Sequence, residues 1–328
     1  LPIMGVVRKR ELETHQSRLD MHAYGKHVNR LAYKQQRPFI IVGAGIAGAR
    51  ASQILTTNGY DVLVLDKGSI PGGRSSTKRR EQGTYNHGCD ALLEPTKELH
   101  ADQSILKMLE DTDVRCDTKV TSIQTTNDCV ILEDEKGFTW EAEGVILTAP
   151  IPQLQAIAPW LVPAEWSYHP YASNWTLIFT GDGPVPDEIT DSSLSSIEIM
   201  RPGINQNSSN VLIVQMSNEW SKIHLEKARN SITDLVLSEL KSIPLSRKAQ
   251  AWIESASTHA HRWRFARPLQ RPKRVQDDRI TMAGDAWSEP IGTIEAALKS
   301  GEFAALELVW KLHYAKKPEP ISLQTTLF

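Results

Sequence analysis

Cysteine is scarce in this chain: Cys89, Cys116 and Cys129 are the only three in 328 residues. They are too few and too scattered for a disulfide framework, and their spacing matches no metal motif. A reduced, cytoplasmic setting is the expectation. Long apolar runs are missing too, since no stretch approaches the roughly 18 residues of a membrane span. Nor is there an excess of one charge. The 37 Lys and Arg against 39 Asp and Glu leave a net −2, so no cationic field would draw in nucleic acid in general. The chain holds no internal repeat, no Ser/His/Asp constellation and no paired carboxylates. What remains, 40% hydrophobic and 23% charged at this length, is the profile of one folded two-domain protein.

Two distant fragments carry the positive signal. The first runs from Phe39 to Gly68. Phe39 to Val42 reads as a buried parallel strand. Gly43, Gly45 and Gly48 follow as G-x-G-x-x-G and open a helix to about Thr57. The first glycine permits a tight turn, the second lets backbone approach a pyrophosphate, and the third lets helix and strand pack closely. Ile46 and Ala47 begin the helix, whose N–H groups and positive end suit phosphate. A second strand, Asp61 to Leu65, ends at Asp66 and Lys67. Asp66 follows Gly48 by 18 residues, near the spacing expected of a ribose-binding acid. The competing reading is a glycine-rich turn set by packing alone.

Pro71-Gly72-Gly73-Arg74 comes next, where NAD dehydrogenases usually enter another strand–helix unit. Gly73 offers close backbone approach and Arg74 a bidentate cation, features that favour FAD over NAD. The bland alternative is an exposed basic turn. In the distal fragment, Ile280 to Ala283 reads as a strand with Gly284-Asp285 at its end, suited to a ribityl hydroxyl. Gly292-Thr293 and Ile294 then start an apolar-faced helix whose N–H groups could stabilise charge on a flavin's N1/C2 edge.

Further matches lie at Gly72–Arg79, Asn86–Gly88, Lys119–Ile123, Val145–Gln153, Asn218–Arg229, Ala260–Pro268 and Ala283–Trp287. On these residues the chain resembles the renalase-like branch of the FAD-dependent flavin amine-oxidase-like oxidoreductases. The resemblance implies the two-domain glutathione-reductase type of FAD fold, α/β with a Rossmann-like sheet. It implies non-covalent FAD, with Gly43, Gly45, Gly48 and Asp66 on the ADP half and Arg74 near the pyrophosphate and flavin. Val120 would give backbone contacts to adenine, and Gly284-Asp285 would lie beside the ribityl chain. The implied activity is oxidation of dihydro-nicotinamide isomers of NAD(P)H, with oxygen as acceptor. An amine or CH–NH oxidase is the alternative within enzymes, and a non-catalytic FAD-binding partner protein the alternative outside them.

Departures from the family pattern bear on the substrate. Where relatives carry Asp-x-Gly-Ala-Gln-Tyr, this chain reads Asn86-His87-Gly88-Cys89-Asp90-Ala91. Only 31 residues separate Gly88 from Val120, a short segment for one that helps to roof the active site.

The middle of the chain is expected to supply the substrate face. Strands are expected at Trp175–Thr180, Ser195–Met200 and Val211–Gln215, a helix at Ser221–Leu240, and strands at Ala251–Ser257 and His259–Arg264. Such a pattern predicts an inserted antiparallel sheet covered on one side. As a strand, His261-Arg262-Trp263-Arg264 puts His261 and Trp263 on one face and Arg262 and Arg264 on the other. His261, Trp263, Arg264 and Asp90 are the substrate-face candidates, and pinning of the two domains is the structural alternative for the tetrad.

The expected organisation is a basic extension at 1–37, an FAD-binding domain at 38–150 and 270–315, a substrate domain at 151–269, and a tail at 316–328. The extension holds eight Lys/Arg against three Asp/Glu and no apolar stretch of a secretory signal. The tail's Gln324, Leu327 and Phe328 match a sliding-clamp-binding pentapeptide. A small-molecule substrate is the principal partner expected.

Overall fold

The computed structural model describes residues 36–80, 83–88, 101–203, 210–273 and 275–313. Expectations resting on residues 1–35, on Cys89, Asp90 and Ala91, and on Gln324, Leu327 and Phe328 lie outside the described residues.

Strand β1 (Phe39–Val42) leads into helix α1 (Ile46–Thr57) and strand β2 (Val62–Leu65). A short 3-10 turn, Gly73–Ser75, precedes the hairpin of β3 (Thr77–Arg80) and β4 (Gly83–Asn86). Helix α2 (Ala101–Met108) and strand β5 (Asp113–Arg115) follow. Three antiparallel strands come next, β6 (Val120–Thr125), β7 (Val130–Asp134) and β8 (Thr139–Ala142). Then come β9 (Val145–Leu147) and helix α3 (Ile151–Ile157).

The next stretch runs β10 (Tyr171–Thr180), α4 (Asp187–Thr190), β11 (Ile197–Pro202) and β12 (Val211–Met216). Helices α5 (Asn218–Ile223), α6 (Arg229–Lys241) and α7 (Arg247–Ser255) precede the long strand β13 (Ser257–Pro268). The chain ends its described part with β14 (Ile280–Met282) and α8 (Ile294–His313).

Two of the sheets position the site. The first is parallel, in the order β14-β9-β1-β2-β5, so the two distant fragments are separated by β9 alone. Its strands are buried on both faces, which is why they read as unbroken apolar runs. Phe39 and Ile41 join α1 and α8 in one core, and Ile40 joins β6, β7 and α3 in the other. Small residues let α1 and α8 cross closely: a Cβ on Gly301 would stand 2.2 Å from the Ala47 carbonyl oxygen.

The second sheet is antiparallel, in the order β11-β12-β10-β13. Trp175, Leu177, Phe179, Leu212, Val214 and Met216 face the helices and form its core with Ile232, Val236, Leu240 and Trp252. The fold class expected from the sequence, a Rossmann-like α/β unit with a separate antiparallel sheet, is the one found.

Two local expectations are corrected. The single helix expected over Ser221–Leu240 is two, α5 and α6, with an intervening turn. That turn serves the sheet, because the Leu225 carbonyl accepts from Arg262 at 2.9 Å and the His224 carbonyl from the Trp175 indole at 3.1 Å. The expected strand at Ala251–Ser257 is the end of helix α7. Ser246 caps α7 by accepting from the Ala249 N–H, and Ala249, Trp252 and Ile253 recur at helical spacing and are buried. No described helix is long and apolar enough to cross a membrane.

Candidate functional site

The site grows from the turn after β1. Gly43 has φ +113° and packs on Thr148, whose hydroxyl donates to the Val42 carbonyl at 2.8 Å. A Cβ on Gly48 would fall 1.9 Å from the Gly43 carbonyl oxygen, so helix α1 reaches the strand only because that side chain is absent. Gly45 is different. A Cβ there would meet nothing within 4 Å, and no side chain caps the helix that starts beside it. The first turn of α1 therefore presents backbone N–H groups to open space, which is what a pyrophosphate requires.

Asp66 closes this turn from the end of β2. It is buried, and its two oxygens accept from the Ala44 N–H at 2.5 Å and the Gly68 N–H at 2.6 Å. The carboxylate is thereby pinned at the glycine turn while keeping lone pairs for ribose hydroxyls. Residues 115–118 run alongside, with Asp66 N–H donating to the Arg115 carbonyl and Thr118 N–H donating to that of Asp66, both at 2.9 Å. Val120 continues this edge with its side chain in the core, so it offers only backbone. Burial, then Asp66 and Asp117, push the Cys116 thiol up and keep it protonated. Lys67 points elsewhere, to Gln153 at 3.0 Å on the surface.

The Gly-Gly-Arg turn is tied to the glycine turn through Gly72 N–H and the Ala44 carbonyl at 2.8 Å. Arg74 then makes a fork to Asp285, with both N···O distances 2.7 Å, and donates a third bond to the Ala266 carbonyl of β13 at 2.8 Å. One guanidinium thus joins both fragments and the antiparallel sheet. Gly292 N–H donates to the Asp285 carbonyl, and Thr293 caps α8 by accepting from Ala296 N–H at 3.1 Å. Ile294 is buried under that first turn. Ser300 holds Gly284 by bonds to both its N–H and its carbonyl. These groups fit FAD: open backbone N–H groups, a pinned acid and an Arg–Asp pair, gathered beyond the ends of strands in one parallel sheet.

Tyr171 stands beside this pair and has no signature in the sequence. Its hydroxyl accepts from Ile151 N–H at 3.3 Å. Its pKa is pushed up to about 12, chiefly by burial, with the Ile151 bond opposing and Asp285 adding.

Across the junction, His261 and Trp263 come together with a third ring, His87. The His87–His261 and His261–Trp263 centroids are 4.5 and 4.2 Å apart, and the Trp263 indole donates to the His87 carbonyl at 3.2 Å. Gly88 is clamped between them and the Arg74 turn: a Cβ would stand 2.0 Å from the Arg74 carbonyl oxygen and 3.3 Å from the Trp263 ring. Arg264 is not brought to this group. It lies on the other face, forked to Glu226 at 2.6 and 2.9 Å. Sequence reasoning also passed over Gln215, a buried amide in the apolar run of β12, whose one signal was that interruption. Among the described residues no His, Cys, Asp and Glu cluster could hold a metal.

Comparison with known proteins fits this geometry. The family described as flavin containing amine oxidoreductase matches residues 99–309, and an NAD(P)-binding Rossmann-like domain matches residues 41–109. A zeta-carotene-forming phytoene desaturase of Myxococcus xanthus is 33% identical over 88 residues, covering 26% of this chain and only 17% of that protein. Cyclohexylamine oxidase from Brevibacterium oxydans IH-35A superposes with TM-score 0.64 at 12% identity, over 84% of this chain and 99% of that one. An engineered putrescine oxidase gives TM-score 0.61 at 13% identity, over 83% and 98%. At such identities the likeness to these structures is one of fold.

Proposed function

This chain belongs to the flavin containing amine oxidoreductases, a family of FAD-dependent enzymes, and from that premise we propose a renalase-like oxidase. It would take hydride from dihydro-nicotinamide isomers of NAD(P)H and pass the electrons to dioxygen. The balance is one dihydro isomer, one proton and O2 giving the oxidised nicotinamide and H2O2. FAD, when bound, supplies the hydride acceptor. Gly43, Gly45, Ile46, Ala47, Gly48 and Asp66 hold its ADP half, with Lys67 at the rim and Val120 giving backbone. Gly73, Arg74, Gly284, Asp285, Thr293 and Ile294 hold the part nearer the ring. Residues 38–150 and 270–315 serve as the cofactor domain and 151–269 as the substrate domain.

The observation that carries this reading is the ring group of His87, His261 and Trp263 pressed on the Gly88–Arg74 contact. It gives a planar donor an aromatic wall at the edge of the cofactor turn. Anaerobic stopped-flow mixing with the 2- and 6-dihydro isomers tests it: flavin bleaching is expected, and a flavin left oxidised by both removes the proposal.

An amine or CH–NH oxidase is the second reading, favoured by the fold shared with cyclohexylamine oxidase. Bleaching by primary or cyclic amines, and not by the dihydro isomers, would select it. A sliding-clamp contact through Gln324, Leu327 and Phe328 is a separate proposal, tested by pull-down with and without the tail.

A further inference from the structure

We propose that Gln215 determines specificity by accepting a hydrogen bond from a carboxamide N–H on a planar heteroaromatic ligand lying against Trp263. This rests on the reading that the donor occupies the junction between the antiparallel sheet and the cofactor turn.

The argument begins with register. Thr176 of β10 pairs with Gln215 of β12 on one side and His261 of β13 on the other, so the three share one row and one face. Trp263 pairs with Asn174 two residues along the same face. Further along, the face turns apolar at Ile178, Ile213 and Val211, which pack with Tyr85. An amide, a hydroxyl and an imidazole therefore interrupt an apolar surface where it meets the Arg74 turn.

Gln215 is 9% exposed. Its Nε2 donates to the carbonyls of His87 and Gly88, each at 3.3 Å. Turning the amide over would put Oε1 against those two carbonyl oxygens, so the orientation is set. The His87 carbonyl also accepts from the Trp263 indole, which locks amide and ring to one point. Oε1 is thereby aimed away from the loop, and no donor among the described residues reaches it. Oε1 is not sealed inside the protein, so a ligand can reach it, and the bonds made by Nε2 hold it rigid beside an aromatic wall. Thr176 cannot satisfy it, because its hydroxyl donates to Asn174 Oδ1 at 2.8 Å. A ligand with an N–H in the plane of its ring completes the row. A carboxamide on a pyridine or dihydropyridine ring has that geometry.

The test is a titration of oxidised holoenzyme with nicotinamide and with 3-acetylpyridine, which has the same outline but no N–H, followed by the shift in flavin absorbance. Nicotinamide is expected to bind roughly five-fold tighter. In Gln215→Met that preference disappears while FAD content and acetylpyridine binding stay. Equal binding of the two by the unaltered protein, a preference that survives in Q215M, or no shift with either ligand would each overturn the proposal. Should Q215M lose FAD, N-methyl- and N,N-dimethylnicotinamide decide the matter on the unaltered protein. Affinity is expected to fall when the last N–H goes, and a dimethyl compound binding as tightly as nicotinamide refutes the role. A flavin that the dihydro isomers leave oxidised, with the nicotinamide preference intact, would sink the proposed reaction and leave Gln215's role standing.

Discussion

The parallel-sheet half and the antiparallel sheet build their chemistry from different material. Around Gly43–Asp66 the working groups are backbone: N–H groups at a helix start, glycines that admit close approach, and one acid that binds two more N–H groups. On the antiparallel sheet the candidate groups are side chains, Gln215, Thr176, His261 and Trp263, aligned across three strands and joined to His87. Backbone sites depend on a few consecutive residues, so they leave a local pattern. Side-chain sites assembled across strands depend on register and leave almost none. On the proposed reading, the first half holds a cofactor common to a superfamily while the second is free to change substrate.

The largest test of this contrast compares two glycines of one motif. Gly48→Ala drives a Cβ into backbone and should cost ~3 kcal/mol in denaturant unfolding, with FAD occupancy lost. Gly45→Ala, facing open space, should leave unfolding unchanged and weaken FAD binding alone. Equal destabilisation by both would break the distinction between a packing glycine and a cofactor glycine.

Asp285→Ala leaves the Arg74 guanidinium without its fork and should cost ~2 kcal/mol, with weaker FAD retention on desalting. Because Arg74 also bonds Ala266, the same variant should alter the tryptophan fluorescence of the antiparallel sheet; an unaltered spectrum would uncouple the two halves.

Tyr171 joins the halves in a pH-dependent way. Its folded pKa of about 12 exceeds the ordinary 10, so the folded state keeps a proton that the unfolded chain releases. Its contribution is full below pH 10 and is lost as pH rises to about 12, a change of at most ~3 kcal/mol. Tyr171→Phe should flatten that part of the stability–pH curve, whatever its effect at neutral pH.

Trp263→Phe keeps an aromatic wall but removes the donor to the His87 carbonyl, at ~1 kcal/mol. FAD content should hold while apparent affinity for the reducing substrate falls. The smallest effect belongs to the opposite face. Glu226→Gln removes an exposed carboxylate, whose pKa is lowered by Arg264, and should leave melting and substrate affinity unchanged.

Much of the cofactor half was legible because each element there announces itself within about 30 residues: apolar strand, glycines, helix, strand, acid. The distal strand and helix were legible for the same reason. Errors fell where helical and strand periods compete. Ala249, Trp252 and Ile253 belong to a helix that a short window reads as a strand, and the turn at His224–Lys227 breaks what looked like one helix. His261 and Trp263 were placed on one face by alternation alone, and the same alternation set Arg264 opposite.

By itself the sequence determined the Rossmann-like unit, its order of elements and the glycines and acid that suit FAD, because these follow from backbone geometry and short-range spacing. Only the tertiary structure decided that Arg74 reaches both Asp285 and Ala266, that Tyr171 lies beside that pair, and that Gln215 stands in a row with His261. Those contacts join residues up to 211 positions apart, and cross-strand register, which sets them, arises only when the whole sheet has formed.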